Sequence, residues 1–312
     1  MAPASLRLQP GTLWARLLAQ TDQAIRCGAL QSIPTAYEWV EQNGIPFIVR
    51  VLTNLARKDQ ARKEQARKAA TGTEVNPFLP YEEDLFVADI SDTHLCLLNK
   101  FNVLDHHLLI VTRAFEDQEL LLNLQDFEAL WACMLEFESL AFYNGGRIAG
   151  ASQRHKHLQL VSLPLAPQGP KIPIESVLAA ARFTDGVGTI PQLPFVHAVV
   201  RLELQGLHSP REAAVATLEL YQRLLRAVGL QGTATAGDER QQGPYNLLIT
   251  RQWMLLVPRS QECFASLSVN ALGFAGALLV RNEQQAQVVK ERGPLTVLQQ
   301  VAVPLEVACC RL

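Results

Sequence analysis

Residues 144–159, NGGRIAGASQRHKHLQ, constrain this chain more than any other stretch. The apolar, β-prone run from Leu158 to Leu163 stops at Pro164, which places His155 to Leu163 on a strand. Side chains alternate across a strand, so His155, His157 and Gln159 share one face and Lys156, Leu158 and Leu160 the other. Two imidazoles and a carboxamide then form a compact polar cluster. Just upstream, Gly145, Gly146 and Gly150 make a loop with Ser152 and Gln153, rich in donors. Glycine lets backbone N–H groups approach an anion closely. A nucleophile beside a phosphate cradle is the functional reading. A purely structural HxH pair is the plain alternative, and a pair of metal ligands is another. No Cys or carboxylate lies close in sequence to complete a metal site, so no metal site is expected.

A chain of 312 residues implies roughly two domains. Hydrophobic content of 48% with 19% charged residues describes a soluble globular protein. The net charge of −2 leaves no electrostatic footprint for nucleic acid. No apolar run is long enough for a membrane span. The N-terminus, MAPASLRLQPGTLWARLLAQ, lacks the apolar core and cleavage pattern of a signal peptide, and only its Arg7 and Arg16 hint at a transit peptide. The six cysteines, Cys27, Cys96, Cys133, Cys263, Cys309 and Cys310, form no CxxC pair and fit a reducing compartment. A cytoplasmic location is expected.

Along the chain, residues 11–32 read as a helix with apolar Leu13, Leu17, Leu18 and Ile25. Residues 45–52, IPFIVRVL, read as a buried strand in which Arg50 needs a partner or an exit to solvent. Residues 57–70 repeat Arg-Lys every five residues, a step of about 140° around a helix. The basic pairs therefore spread around it, as a solvated helix or a lid. After the turn-rich NPFLP at 76–80, His94 to Lys100 and His107 to Arg113 read as an antiparallel hairpin. Leu124 to Tyr143 reads as a helix capped by Asn123, carrying Phe127, Leu130, Trp131, Met134 and Ala141, and stopped by Gly145. Proline-rich residues 164–172 mark a boundary, giving domains 1–165 and 166–312. Beyond it come a strand at Phe195 to Leu204, a helix opened by Ser209-Pro210-Arg211-Glu212, and strands at Pro244 to Thr250 and Trp253 to Val257.

Asn144, the Gly-Ala-Ser-Gln run at 150–153 and the HxHxQ at 155–159 together resemble the transferase branch of the histidine-triad superfamily. The greatest likeness is to the ATP adenylyltransferases that phosphorolyse diadenosine tetraphosphate. Galactose-1-phosphate uridylyltransferase shares the asparagine, serine, histidine and glutamine spacing. PYNLLITRQWMLLVPR and SVNALGFAGALLVR extend the resemblance into the second half, so that it covers most of residues 45–300. It implies an α+β fold: a histidine-triad-like antiparallel sheet with packed helices, extended by a C-terminal α+β domain. It departs from those uridylyltransferases that hold a structural metal partly by cysteine.

The resemblance implies His157 as nucleophile, with His155 orienting it or touching phosphate, and Asn144 fixing the imidazole or a phosphate oxygen. Gly150, Ala151, Ser152, Gln153 and Gln159 are the expected phosphate donors. Lys58 is a substrate contact, Asn99 meets the ribose, and Lys100 lies on the phosphate side; His107 reads as a core or supporting residue. Asn270, Ala271, Leu272, Ala277 and Arg281 line the site from the second half, with Arg281 where a lysine is usual. The expected ligands are diadenosine tetraphosphate, ATP, ADP and phosphate, with Mg²⁺ or a similar divalent ion carried by the polyphosphate and no prosthetic group. The oligomeric state stays open, a monomer included. A dinucleotide hydrolase, an adenylyltransferase to sulfate and a non-catalytic dinucleotide sensor are the competing functions.

Overall fold

The structure, a computed structural model, describes residues 5–53, 76–203, 209–231 and 240–305. Lys58 and the basic repeat lie outside the described residues. Helix α1 (Leu13–Cys27) buries Leu13, Leu17 and Ala24 and stops at Gly28, whose φ of 80° is left-handed. Leu18 and Ile25, expected on its apolar face, are 38% and 55% exposed. At 100° per residue they point about 120–140° away from Leu13, outside the stripe a single face can bury.

Strands β1 (Thr35–Gln42) and β2 (Ile45–Leu52) form a hairpin. Its Asn43-Gly44 turn has φ of 53° and 78°, the left-handed pair that matches strand twist. Arg50 finds partners inside the protein: Nη1 donates to Thr35 Oγ1 at 3.0 Å, Nη2 donates to the Leu165 carbonyl, and the guanidinium lies 5.4 Å from the Tyr37 ring centre. Next come β3 (Phe86–Asp89), β4 (His94–Leu98) and β5 (Leu108–Thr112). The expected hairpin is β4–β5, paired from His94–Thr112 to Leu98–Leu108. Its alternation is clean. Cys96, Leu98, Leu108 and Ile110 join the helix-side core, while Leu95, Leu97, Leu109 and Val111 cluster with Phe78 on the other face.

The largest departure follows. Helix α2 (Leu124–Met134) starts as expected, with Asn123 Oδ1 accepting from the Gln125 and Asp126 amides and Asp126 returning a bond to the Asn123 N–H. It then ends nine residues before Tyr143, and Ser139–Gly145 is strand β6. All seven residues of β6 are buried, so the run has no period-two signature to set it apart from a buried helix. The helix end is fixed from afar. Arg251 donates to the Met134 carbonyl from Nε at 2.8 Å and to the Phe137 carbonyl from Nη2 at 3.2 Å. Gly145 ends the strand rather than a helix.

The chain continues through β7 (His157–Ser162), β8 (Arg182–Thr184), β9 (Val187–Thr189), β10 (Ala198–Arg201), α3 (Pro210–Ala227), β11 (Tyr245–Ile249), β12 (Trp253–Pro258), α4 (Ala271–Phe274), β13 (Ala277–Val280), α5 (Glu283–Arg292) and α6 (Pro294–Val301). The capping box Ser209–Glu212 with Pro210 opens α3 as its sequence implies. Ten strands make one sheet in the order β3-β4-β5-β7-β6-β11-β12-β10-β9-β8. The sheet crosses residue 165 without a break, because β6 from the first half pairs with β11 from the second. A parallel pairing of β13 with β2 joins the halves again. Helices α1, α2 and α3 cover one sheet face around Phe127, Trp131, Tyr221, Leu158 and Leu160. The other face, with Phe142 and Val161, packs against β2, β13, α5 and α6. Among the described residues no helix is long and apolar enough to cross a membrane.

Candidate active site

Strand β7 carries the candidate nucleophile at its first residue. Leu158 and Leu160 face the helices, and His157 and Gln159 face away from them, as the alternation requires. Where β6 and β7 part around the glycine loop, the carboxamide of Gln118 closes the gap. Its Oε1 accepts from the His157 N–H at 2.8 Å, and its Nε2 donates to the Asn144 carbonyl at 2.9 Å.

The His157 ring has one nitrogen committed. Nδ1 lies 2.8 Å from the His155 main-chain carbonyl. A carbonyl only accepts, so Nδ1 carries the proton and the lone pair sits on Nε2. Burial pushes the pKa of His157 down to about 4, so the ring is neutral at neutral pH. The orienting group is thus the backbone of His155. Its imidazole does other work. Nε2 lies 2.8 Å from the Thr112 carbonyl and 3.1 Å from that of Ala114, so Nε2 is the protonated nitrogen. Nδ1 then accepts from Asn76 Nδ2 at 2.9 Å. The Phe78 ring packs 5.6 Å from the His155 ring and 5.4 Å from that of His157.

Gln159 is held by His107, whose Nε2 lies 3.0 Å from Gln159 Oε1; the other ring nitrogen of His107 lies 3.2 Å from Asn99 Nδ2. The neighbouring Lys100 is ion-paired with Glu82 at 2.6 Å on the surface. Just before β7, Lys156 is buried beside Asp126 at 2.6 Å, and Asp126 also meets His94 at 3.0 Å. Burial alone would raise the Asp126 pKa. The His94 hydrogen bond and the Lys156 charge outweigh it and hold the carboxyl below its ordinary value.

The glycine loop is built differently from a plain anion cradle. The Gly150 N–H donates to the Arg147 carbonyl at 2.9 Å and the Ala151 N–H to that of Gly146 at 3.2 Å. These two amides, expected to face phosphate, close the loop on itself. Ser152 is exposed and Gln153 half-buried at the loop's outer end. Gly150 has φ of 93°, and a Cβ there would sit 2.8 Å from the Val269 carbonyl oxygen. Its freedom serves the approach of the second half. Asn144 serves the same contact: Oδ1 accepts from Asn246 Nδ2 at 2.8 Å and from the Ala271 N–H at 2.9 Å. The Asn144 oxygen is thus occupied by two donors from the second half. Asn270 caps α4 by accepting from the Leu272 N–H at 3.1 Å. Asn144, Gly150, Asn270, Ala271 and Leu272 therefore converge. Ala277 lies instead in the β2–β13 ladder opposite Ile48, and Arg281 follows that strand.

Residues 3–180 match the family model for the Ap4A phosphorylase N-terminal domain, and residues 191–304 match the ATP adenylyltransferase C-terminal domain. The chain belongs to the Ap4A phosphorylase family. Among its relatives is the diadenosine 5',5'''-P1,P4-tetraphosphate phosphorylase 2 of Saccharomyces cerevisiae, 28% identical over 274 residues, which are 80% of this chain and 81% of that protein. Protein APA1 of the same yeast is 25% identical, over 81% of each chain. The crystal structure of the yeast Ap4A phosphorylase Apa2 superposes with a TM-score of 0.75 at 22% identity, covering 95% of this chain and 99% of that one. That likeness establishes the α+β fold.

Four residues of this family member escaped the sequence reading. Asn76 and Phe78 lie in NPFLP, whose proline spacing signalled only a turn. Gln118 had no local signal. Arg259 closes the strand segment WMLLVPR and is 3% exposed. Its guanidinium donates to Asn246 Oδ1 at 2.6 Å and to the carbonyls of Val269 at 2.8 Å and Ala149 at 3.3 Å, binding the loop to the second half.

Proposed function

We propose that this chain phosphorolyses diadenosine tetraphosphate to ATP and ADP, reversibly, through an adenylyl group carried on His157. The observation that carries the reading is the Nδ1–H contact to the His155 carbonyl at 2.8 Å, which leaves Nε2 with its lone pair on a neutral ring. Nε2 attacks the α-phosphorus of the dinucleotide. The bond from that phosphorus to the bridging oxygen breaks, and ATP leaves with the electron pair. The phosphoramidate on His157 is then attacked by an oxygen of inorganic phosphate, which returns the imidazole and forms ADP. The covalent step divides one displacement into two.

Charge builds on the non-bridging oxygens, so donors must be in place beforehand. Gln159 Nε2, Asn144 Nδ2 and the Ser152 and Gln153 side chains are assigned to that task. Gln159 cannot titrate near neutrality. That suits transfer between phosphates, whose leaving groups need little protonation, over loss of the adenylyl group to water. Asn99 is assigned to the ribose. Lys100 reaches a phosphate only by leaving Glu82. The second half contributes Asn246, Arg259 and residues 270–272 as the frame of the loop. A divalent cation such as Mg²⁺ travels with the tetraphosphate and neutralises its oxygens.

The test is to mix enzyme, Mg²⁺ and diadenosine tetraphosphate without phosphate and look for an adenylyl adduct by mass spectrometry. The adduct should map to His157, be absent in His157→Ala, and fall sharply in excess chelator. An adduct on another residue, or undiminished turnover in the variant, would sink the assignment.

A further inference from the structure

We infer that His107 is a positioning residue that sets which end of the Gln159 carboxamide faces the reacting phosphate, and that it ties this setting to Asn99. The inference rests on the role given to Gln159 above. His107 precedes β5 and is 6% exposed, with the Phe142 ring 5.7 Å away. Its two nitrogens meet two different amide ends. Nε2 faces the oxygen of Gln159 at 3.0 Å, and Nδ1 faces the nitrogen of Asn99 at 3.2 Å.

Donor and acceptor chemistry allows one assignment. An amide oxygen only accepts, so Nε2 bears the proton. An amide nitrogen only donates, so Nδ1 bears the lone pair. A single neutral tautomer satisfies both bonds. Burial favours the neutral ring and pushes its pKa down to about 4. With its oxygen consumed by His107, Gln159 offers its two N–H bonds to the other side. A flipped carboxamide would turn its oxygen toward an anionic phosphate, which repels it. The flip would also require Nε2 to accept, move the ring proton to Nδ1, and force Asn99 to turn its own oxygen inward. The amides at the two ends of the ring therefore hold one another, and a side chain contacting ribose is linked to one contacting phosphate. The tautomer of His157 is fixed by the backbone carbonyl of His155, so the hydrogen bonds of His107 orient Gln159 and Asn99 and not the nucleophile.

The experiment is a double-mutant cycle on kcat for diadenosine tetraphosphate at saturating phosphate. It uses His107→Leu, Gln159→Ala, the double variant and His107→Gln. His107→Leu should lose about tenfold in kcat, the size expected when one hydrogen bond to a charged group is misdirected. KM should change less, and the AMP-to-ATP product ratio should rise. The double variant should have the kcat of Gln159→Ala, because with no carboxamide left there is nothing to orient. His107→Gln should regain most of the rate, since its terminal amide can replace the Nε2–H donor. Losses that multiply in the double variant, or a wild-type kcat in His107→Leu, would overturn the inference and leave the role of Gln159 standing. A wild-type kcat in Gln159→Ala would overturn both.

Discussion

A histidine is a useful nucleophile when one ring nitrogen is held protonated and the other is bare. His157 meets that requirement through a backbone carbonyl and burial. The consequence is a measurable pH profile. Its folded pKa is pushed down to about 4 from an ordinary 6.5. The acid limb of kcat/KM should therefore lie near pH 4 and be absent near 6.5. Stability follows the same groups. Between those two values the unfolded chain binds more protons at His157 and His107 than the folded one. Stability should thus be intact above pH 6.5 and decline as the pH falls toward 4. An acid limb in kcat/KM at 6.5 would contradict the buried, neutral imidazole. The HxHxQ pattern and its shared face were legible in the sequence because strand alternation is local. The division of labour was not. Whether His155 works by its ring or its backbone depends on carbonyls at Thr112 and Ala114, which a strand pairing brings in.

At the scale of elements, the glycine loop and the segment from Val269 to Leu272 form one unit. Gly150 meets two demands at once, a left-handed φ and a close backbone approach. Gly150→Ala should cost at least about 1–3 kcal/mol for the backbone conformation alone, read as a lowered urea midpoint, and should slow turnover by shifting the loop. An unchanged midpoint would contradict both demands, the left-handed φ and the close approach of Val269. The start of α2 was legible from Asn123 and Asp126, because capping is a contact between near neighbours. Its end was not. Arg251, more than a hundred residues on, takes the carbonyls of Met134 and Phe137, and the apolar run that follows is strand. The Asn43-Gly44 hairpin shows the converse: its turn residues are a local signal, yet only residues 45–52 read as a strand in the sequence and β1 does not.

At the scale of the molecule, the two halves share their framework. The pairing of β6 with β11, that of β2 with β13, and the Asn144–Asn246–Arg259 cluster all cross from one half to the other. Urea unfolding should accordingly be one cooperative transition. Far-UV circular dichroism and tryptophan fluorescence should report the same midpoint, with Trp131 in the first half and Trp253 in the second. Two separated midpoints would mean that the halves are independent. The central chemical claim is transfer of an adenylyl group from His157 to phosphate, and labelled inorganic phosphate tests it most directly. With diadenosine tetraphosphate and Mg²⁺, the label should appear only in the β-phosphate of ADP, alongside an equal amount of unlabelled ATP. Formation of AMP and ATP at full rate without phosphate, with no label in ADP, would contradict the account.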